Sequence, residues 1–105
     1  MYTVQIKPLS VNECWKGRRF KTDAYKIYEN AVLFMLPKKI EAFPPYSIKI
    51  EFGFSNSGAD IDNPVKPFLD ILQKRYGIND KDVYRLEILK TVVKKGSEFI
   101  KFKIE

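Results

Sequence analysis

Histidine is missing from this chain altogether, and Cys14 is its only cysteine. These two absences exclude an internal disulfide, a Cys/His zinc site and any imidazole acting as general acid or base. Any chemistry has to come from carboxylates, lysines, hydroxyls or bound metal ions. Long hydrophobic runs are missing too: no apolar stretch approaches the roughly 18 residues that a membrane-spanning helix requires. Met1-Tyr2-Thr3-Val4-Gln5 lacks the charged-then-apolar form of a secretory signal, so the expected location is intracellular and no membrane partner is expected. Negative charge is the minority sign, 13 Asp and Glu against 19 Lys and Arg, and the net +6 favours a polyanionic partner without choosing between nucleic acid and an acidic surface.

What is present is enough for a fold. A hydrophobic fraction of 45% with 14% aromatics argues against disorder, and 105 residues suit a single domain, 1–105, with one modest core. No internal repeat, low-complexity segment or linker interrupts it. Tyr2, Val4 and Ile6 alternate with polar residues and predict a short strand ending at Pro8. A polar connection follows, in which Lys16, Arg18, Arg19 and Lys21 are interleaved with Trp15 and Phe20. That pattern suits phosphate contacts and base stacking, and equally a solvated loop pinned by Trp15.

Thr22 or Asp23 can cap a first helix whose apolar face is Ala24, Ile27, Tyr28, Ala31, Val32, Met35 and Leu36, and Pro37 stops it. Tyr46, Ile48, Ile50, Phe52 and Phe54 alternate strictly with small or charged residues, the clearest strand in the chain. Ser55-Asn56-Ser57-Gly58 is a polar loop leading to Asp60. A second helix is expected from Pro64, capped by Asp62 or Asn63, burying Val65, Phe68, Leu69 and Leu72 and ending at Gly77 in a left-handed conformation. Tyr84, Leu86 and Ile88 predict a strand whose phase shifts at Leu89, as a bulge or a second buried face would cause. Lys95-Gly96 then turns the chain into a hairpin strand through Ile100, Phe102 and Ile104. The order β-α-β-α-β-β predicts an α+β domain, a mostly antiparallel or mixed sheet with two helices packed on it.

Asp60 and Asp62 are two residues apart, so in extended backbone both carboxylates project to one side. Their mutual repulsion is what a hard divalent cation such as Mg²⁺ or Mn²⁺ would relieve. Lys66 and Asp70 continue from Asp62 along one helical face, which is also the spacing of an ordinary exposed ion pair contributing about 0.3–0.5 kcal/mol. Asn79-Asp80-Lys81-Asp82 could return a third carboxylate towards the first two, or be an Asn- and Asp-rich surface turn.

Taken in order, Asp60-Ile61-Asp62-Asn63-Pro64-Val65-Lys66, then Asp70-Ile71-Leu72, Gly77-Ile78 and Asn79-Asp80-Lys81-Asp82-Val83, the chain resembles the RusA-type Holliday-junction resolvases. Their signature runs D-x-D-N-x-x-K, D-x-L, a glycine, and an acidic pair shortly before valine or isoleucine. Ser10-Val11-Asn12 ahead of the basic segment, and Tyr25 and Tyr28 in the first helix, are similar as well. The resemblance implies a homodimeric, Mg²⁺-dependent endonuclease (Mn²⁺ a possible substitute) that resolves four-way junction DNA by paired symmetric nicks in recombination and repair. It would work in the cytoplasm of a bacterial or phage-infected cell, without an organic cofactor. It further implies metal ligands at Asp60, Asp62 and Asp80 and an active-site lysine at Lys66; the candidate DNA contacts, Asn12, Lys16, Arg18, Arg19 and Lys21, come from the basic, aromatic connection itself. Asp70 and Asp82 are secondary acids, Asp82 competing with Asp80 for the third position. Two departures stand out: the family's adjacent acidic pair is Asn79-Asp80 here, and Ala59 occupies a position where a basic residue is common. Two other classes of function fit the residues: a non-catalytic module for branched or single-stranded nucleic acid, and an interaction protein using Tyr46 to Phe54 as a sheet edge or dimer surface.

Overall fold

A computed structural model describes residues 1–17 and 20–105 as an α+β domain, with two helices over one face of a mixed four-stranded sheet and a small separate hairpin. Arg18 and Arg19, two of the expected DNA contacts, lie outside the described residues. Strand β1 is Tyr2–Val4, the hairpin strands β2 and β3 are Trp15–Lys16 and Phe20–Lys21, and helix α1 is Asp23–Met35. Strand β4 is Tyr46–Phe54, helix α2 is Val65–Tyr76, and strands β5 and β6 are Val83–Val92 and Phe99–Ile104. The sheet order is β1-β6-β4-β5, with β4 and β5 parallel and the other neighbours antiparallel. Among the described residues no helix is long and apolar enough to cross a membrane.

The strict alternation of β4 is satisfied as expected: Ile48, Ile50, Phe52 and Phe54 are buried beneath the helices, while Lys49 and Glu51 face the open side. Strand β4 has a neighbour on each side, which removes it as a free sheet edge for a partner. Ile100, Phe102 and Ile104 continue the core from β6. Strand β6 does not form a hairpin with β5, however. The chain passes the end of β4, where the Val93 N–H donates to the Phe54 carbonyl at 2.7 Å, and β6 pairs on the far side of β4. Of the two causes expected for the phase shift near Leu89, the bulge is absent and Leu89 itself is exposed rather than on a second buried face. Strand β5 runs in register with β4 from Arg85 to Val92, and the irregularity lies at Tyr84, opposite the Tyr46/Ser47 step. As an outer strand with most of its side chains exposed, β5 has no buried face to hold its apolar residues in phase.

Helix α1 begins where Thr22 accepts a hydrogen bond from the Tyr25 N–H at 3.1 Å, and ends at Leu36, whose extended ψ of 144° follows from the proline after it. Its buried face is rotated by about one residue from the aliphatic stripe expected of it. Tyr25, Tyr28, Glu29 and Val32 point inward, whereas Ile27 is 70% exposed. An ion-pair node sits on that face. Glu29 accepts hydrogen bonds from Lys21 of β3 (3.0 and 3.1 Å) and Lys74 of α2 (3.3 Å), joining hairpin and both helices at one carboxylate. Helix α2 closes on Gly77 at φ 66°, the left-handed terminus predicted for it. Its Phe68 ring lies edge-on to Phe52 and Phe102, with centroids 6.1 and 5.6 Å away.

These contacts set the expected stability of two variants. Phe68→Ala, at a fully buried position, should cost about 3–5 kcal/mol in denaturant unfolding. Burial alone would raise the Glu29 carboxyl, but the hydrogen bonds and charges of Lys21 and Lys74 outweigh it and hold the group below its ordinary 4.5. Its stabilisation is therefore complete above pH 4.5 and lost as pH falls through the lower folded value. Glu29→Gln should lower stability by about 1–2 kcal/mol at neutral pH and remove that part of the acid dependence, measured by urea titration at a series of pH values.

Candidate active site

The Asp60-Lys66 segment joins the end of β4 to the start of α2, and the chain there is a turn rather than an extended strand. Its approach is held from both sides. The Asn56 side chain accepts from the Gly58 N–H at 2.8 Å, and the Lys90 ammonium of β5 donates to the Ser57 and Ala59 carbonyls at 2.7 and 2.5 Å. On the other flank the Asn63 carbonyl accepts from the Val11 N–H at 2.8 Å, attaching the segment to the 3-10 turn Val11–Glu13 at the root of the β2–β3 hairpin. Lys90 was not anticipated as part of this region; its sequence signal was a lone cation within the apolar run from Leu86 to Val93.

No side chain caps α2. The expected cap from Asp62 or Asn63 is replaced by a backbone bond from the Val65 N–H to the Asp62 carbonyl at 3.2 Å, and Pro64 and Pro67 have no N–H to satisfy. The side-chain oxygen of Asp60 instead accepts from the Asn63 amide at 3.4 Å. Because the backbone turns here, the two carboxylates border different hollows. Asp60 lines a cleft of about 220 Å³ with Lys7, Ser10, Glu13 and Asn56, whereas Asp62 and Lys66 border a groove of about 420 Å³ walled by Val65, Leu69, Leu86 and Ile88.

Asp80 is not grouped with them among the described residues. Strands β4 and β5 are parallel, so the chain must traverse α2, roughly 18 Å of helix at ~1.5 Å per residue, before β5 starts beside Tyr46 at the opposite end of β4. Asp80 lies against the last turns of α2, its carboxylate accepting from the Gln73 amide and its charge reaching Lys66, and Asp82 is half-buried beside it in the 3-10 turn Asp80–Asp82. Among the described residues no three acidic or Cys side chains are grouped closely enough to hold a metal ion. The donors do not form a three-carboxylate cage. Asp60 and Asp62 do offer hard oxygens on one exposed turn, which suits Mg²⁺ in its usual mode, one or two carboxylates with water and phosphate oxygens completing the shell.

Lys66 is paired along its own helix, donating to Asp70 at 2.7 Å with the two side chains 64% and 33% exposed. That hydrogen bond, opposed by partial burial and aided by the charges of Asp70 and Asp80, raises the Lys66 ammonium above 10.5, so it stays cationic at neutral pH. An exposed pair of this kind is weak. Asp70→Asn should return the Lys66 ammonium towards 10.5 in an NMR titration of lysine side chains, at a stability cost of about 0.5 kcal/mol or less.

At the hairpin, Trp15 and Phe20 are 43% and 72% exposed, and with Lys16, Lys21 and Lys26 they line a shallow basic groove. Lys16 and Asn12 are exposed as a DNA-contact role requires. Lys21 is half-buried, bound to Glu29 and 5.2 Å from the Tyr25 ring centroid, so its first role is structural. Cys14 is buried behind the hairpin. Burial first, then the negative charges of Glu13 and Asp70, push its thiol up to about 11, well away from the reactive range. A scan of protein-family models matches none to this chain, and a search of curated proteins also gives no match.

Proposed function

We propose that the chain is a Mg²⁺-dependent, structure-selective DNA endonuclease of the RusA type, a homodimer that resolves four-way junctions by paired nicks in recombination and repair. The observation that carries this reading is the ordered Asp60-x-Asp62-Asn63-x-x-Lys66 segment, seated at a strand-to-helix turn and bonded through Asn63 to the root of a basic, aromatic hairpin. Lys16 at that hairpin meets phosphates, and Trp15 and Phe20 offer faces on which unpaired bases stack. Lys66 exchanges its weak partner Asp70 for a phosphate oxygen, leaving a protonated cation beside the charge that builds on the phosphorus during hydrolysis. Asp60 and Asp62 would hold Mg²⁺, and the ion would supply charge neutralisation and an acidified water when bound.

A second reading is favoured by one observation, the separation of Asp80 from Asp60 and Asp62. A non-catalytic module for branched or single-stranded nucleic acid needs the hairpin and no assembled acid cluster.

Incubation of purified protein with a four-way junction and a matched linear duplex, with and without Mg²⁺, separates the two. Symmetric nicks in the junction alone are expected. Asp62→Asn should leave junction binding largely intact and slow cleavage on the order of a hundredfold or more. Wild-type cleavage by Asp62→Asn would overturn the metal assignment, and tight, salt-sensitive binding without nicking in Mg²⁺ or Mn²⁺ would select the binding module. Asp80→Asn and Asp82→Asn assayed alongside identify the third acid: loss of cleavage in one names a carboxylate that joins the site with DNA and metal bound, and full activity in both confines the metal to Asp60 and Asp62.

A further inference from the structure

Strand β5 bounds the sheet on one side, bonded among the described residues to β4 and to no other strand, and its ten residues make it far longer than β1 at the opposite edge. Unpaired backbone N–H and C=O groups along such an edge template another strand unless something blunts them. Beside the charged Arg85 and Glu87, four apolar side chains of this edge are uncovered: Tyr84 is 78% exposed, Leu86 42%, Leu89 39% and Val92 54%. The groove between β5 and α2, walled by Val65, Leu69, Leu86 and Ile88, runs along the same edge.

Charge selects what completes it. Arg85 and Glu87 stand two apart on the open side of the sheet, opposite Ser47 and Lys49 of β4, and neither has an ion-pair partner among the described residues. We infer that β5 pairs antiparallel with β5 of a second copy about a two-fold axis at Leu86, perpendicular to the sheet. In that register Arg85 lies opposite Glu87 of the second copy and Glu87 opposite its Arg85, so both ion pairs form at once. Leu86 meets Leu86, and Tyr84 and Val83 come opposite Ile88 and Leu89. An axis at Glu87 would set two carboxylates against each other. An axis at Ile88 leaves Arg85 facing Thr91 and Glu87 facing Leu89. A register matching Glu87 with Lys90 requires a lysine already held by the Ser57 and Ala59 carbonyls.

The result is a continuous eight-stranded sheet with both α2 helices on one face, which sets the two Asp60-Lys66 segments on the same side of the dimer. This deepens the proposed nuclease reading by giving its second copy a surface and a register. The two remain separable by experiment. A monomer that still nicks junctions removes this interface and leaves the activity; a dimer with the charge behaviour below but no cleavage does the reverse.

The test is charge reversal, followed by analytical ultracentrifugation, with circular dichroism confirming the fold of each variant. Wild-type protein should be dimeric. Arg85→Glu and Glu87→Arg should each weaken the dimer by about tenfold or more, because both symmetric pairs become like-charged. The double variant Arg85→Glu with Glu87→Arg should recover wild-type association. The two single variants, mixed, should form a heterodimer, since the first is acidic at both positions of the pair and the second is basic at both. A monomeric wild type, folded single variants that still dimerise, or a folded double variant that stays monomeric would each overturn the register.

Discussion

The parallel pairing of β4 with β5 governs most of this molecule. Parallel neighbours cannot be joined by a tight turn, so the chain has to leave the end of β4, cross the sheet as α2 and enter β5 at the end where β4 began. That crossing lays Phe68, Ile71 and Leu72 onto the sheet and supplies the centre of the core. It also sets the positions of the acidic residues. The Asp60-Lys66 turn is at one end of the crossing and the Asp80–Asp82 turn at the other, with the row Lys66, Asp70 and Gln73 running along the helix between them.

A second constraint is electrostatic. Glu29 joins Lys21 and Lys74, and so ties the hairpin to both helices, at a carboxylate that is nearly buried. Hydrophobic packing has no direction, whereas this node favours the rotation of α1 that turns Glu29 towards Lys21 and Lys74. Tyr25 and Tyr28 therefore turn inward and Ile27 outward, and the hairpin root is held where the Val11 N–H meets the Asn63 carbonyl. The polar surface that would meet a nucleic acid and the turn carrying Asp60 and Asp62 are thus parts of one bonded unit.

The proposed chemistry draws on how weakly its charges are committed. Lys66 is held by an exposed partner that it can leave at small cost, and Asp60 and Asp62 stand on an exposed turn. The protein's net charge of +6 favours a polyanionic partner, and the acids of the Asp60-Lys66 turn form a local exception within it, where the proposed divalent cation would sit. Across the groove, the free edge of β5 offers the surface on which two such sites could be held in fixed relation.

Features that depend on neighbouring residues were legible in the sequence. The alternation of β4, the Thr22 cap, the stop before Pro37, the Gly77 terminus and the Lys66–Asp70 pair all arise within a few residues of one another. Backbone geometry and side-chain reach determine them before any long-range contact forms. Features that depend on which strands become neighbours were not. Whether β6 joins β5 or crosses to the far side of β4, which stripe of α1 is buried, whether Asp60 and Asp62 share a hollow, and how far Asp80 lies from them were decided by the tertiary structure. The physical reason is that spacing along a chain gives a distance only where the backbone conformation is known. A parallel crossover puts the length of α2 between the two acidic segments, whose approach the spacing along the chain had left open.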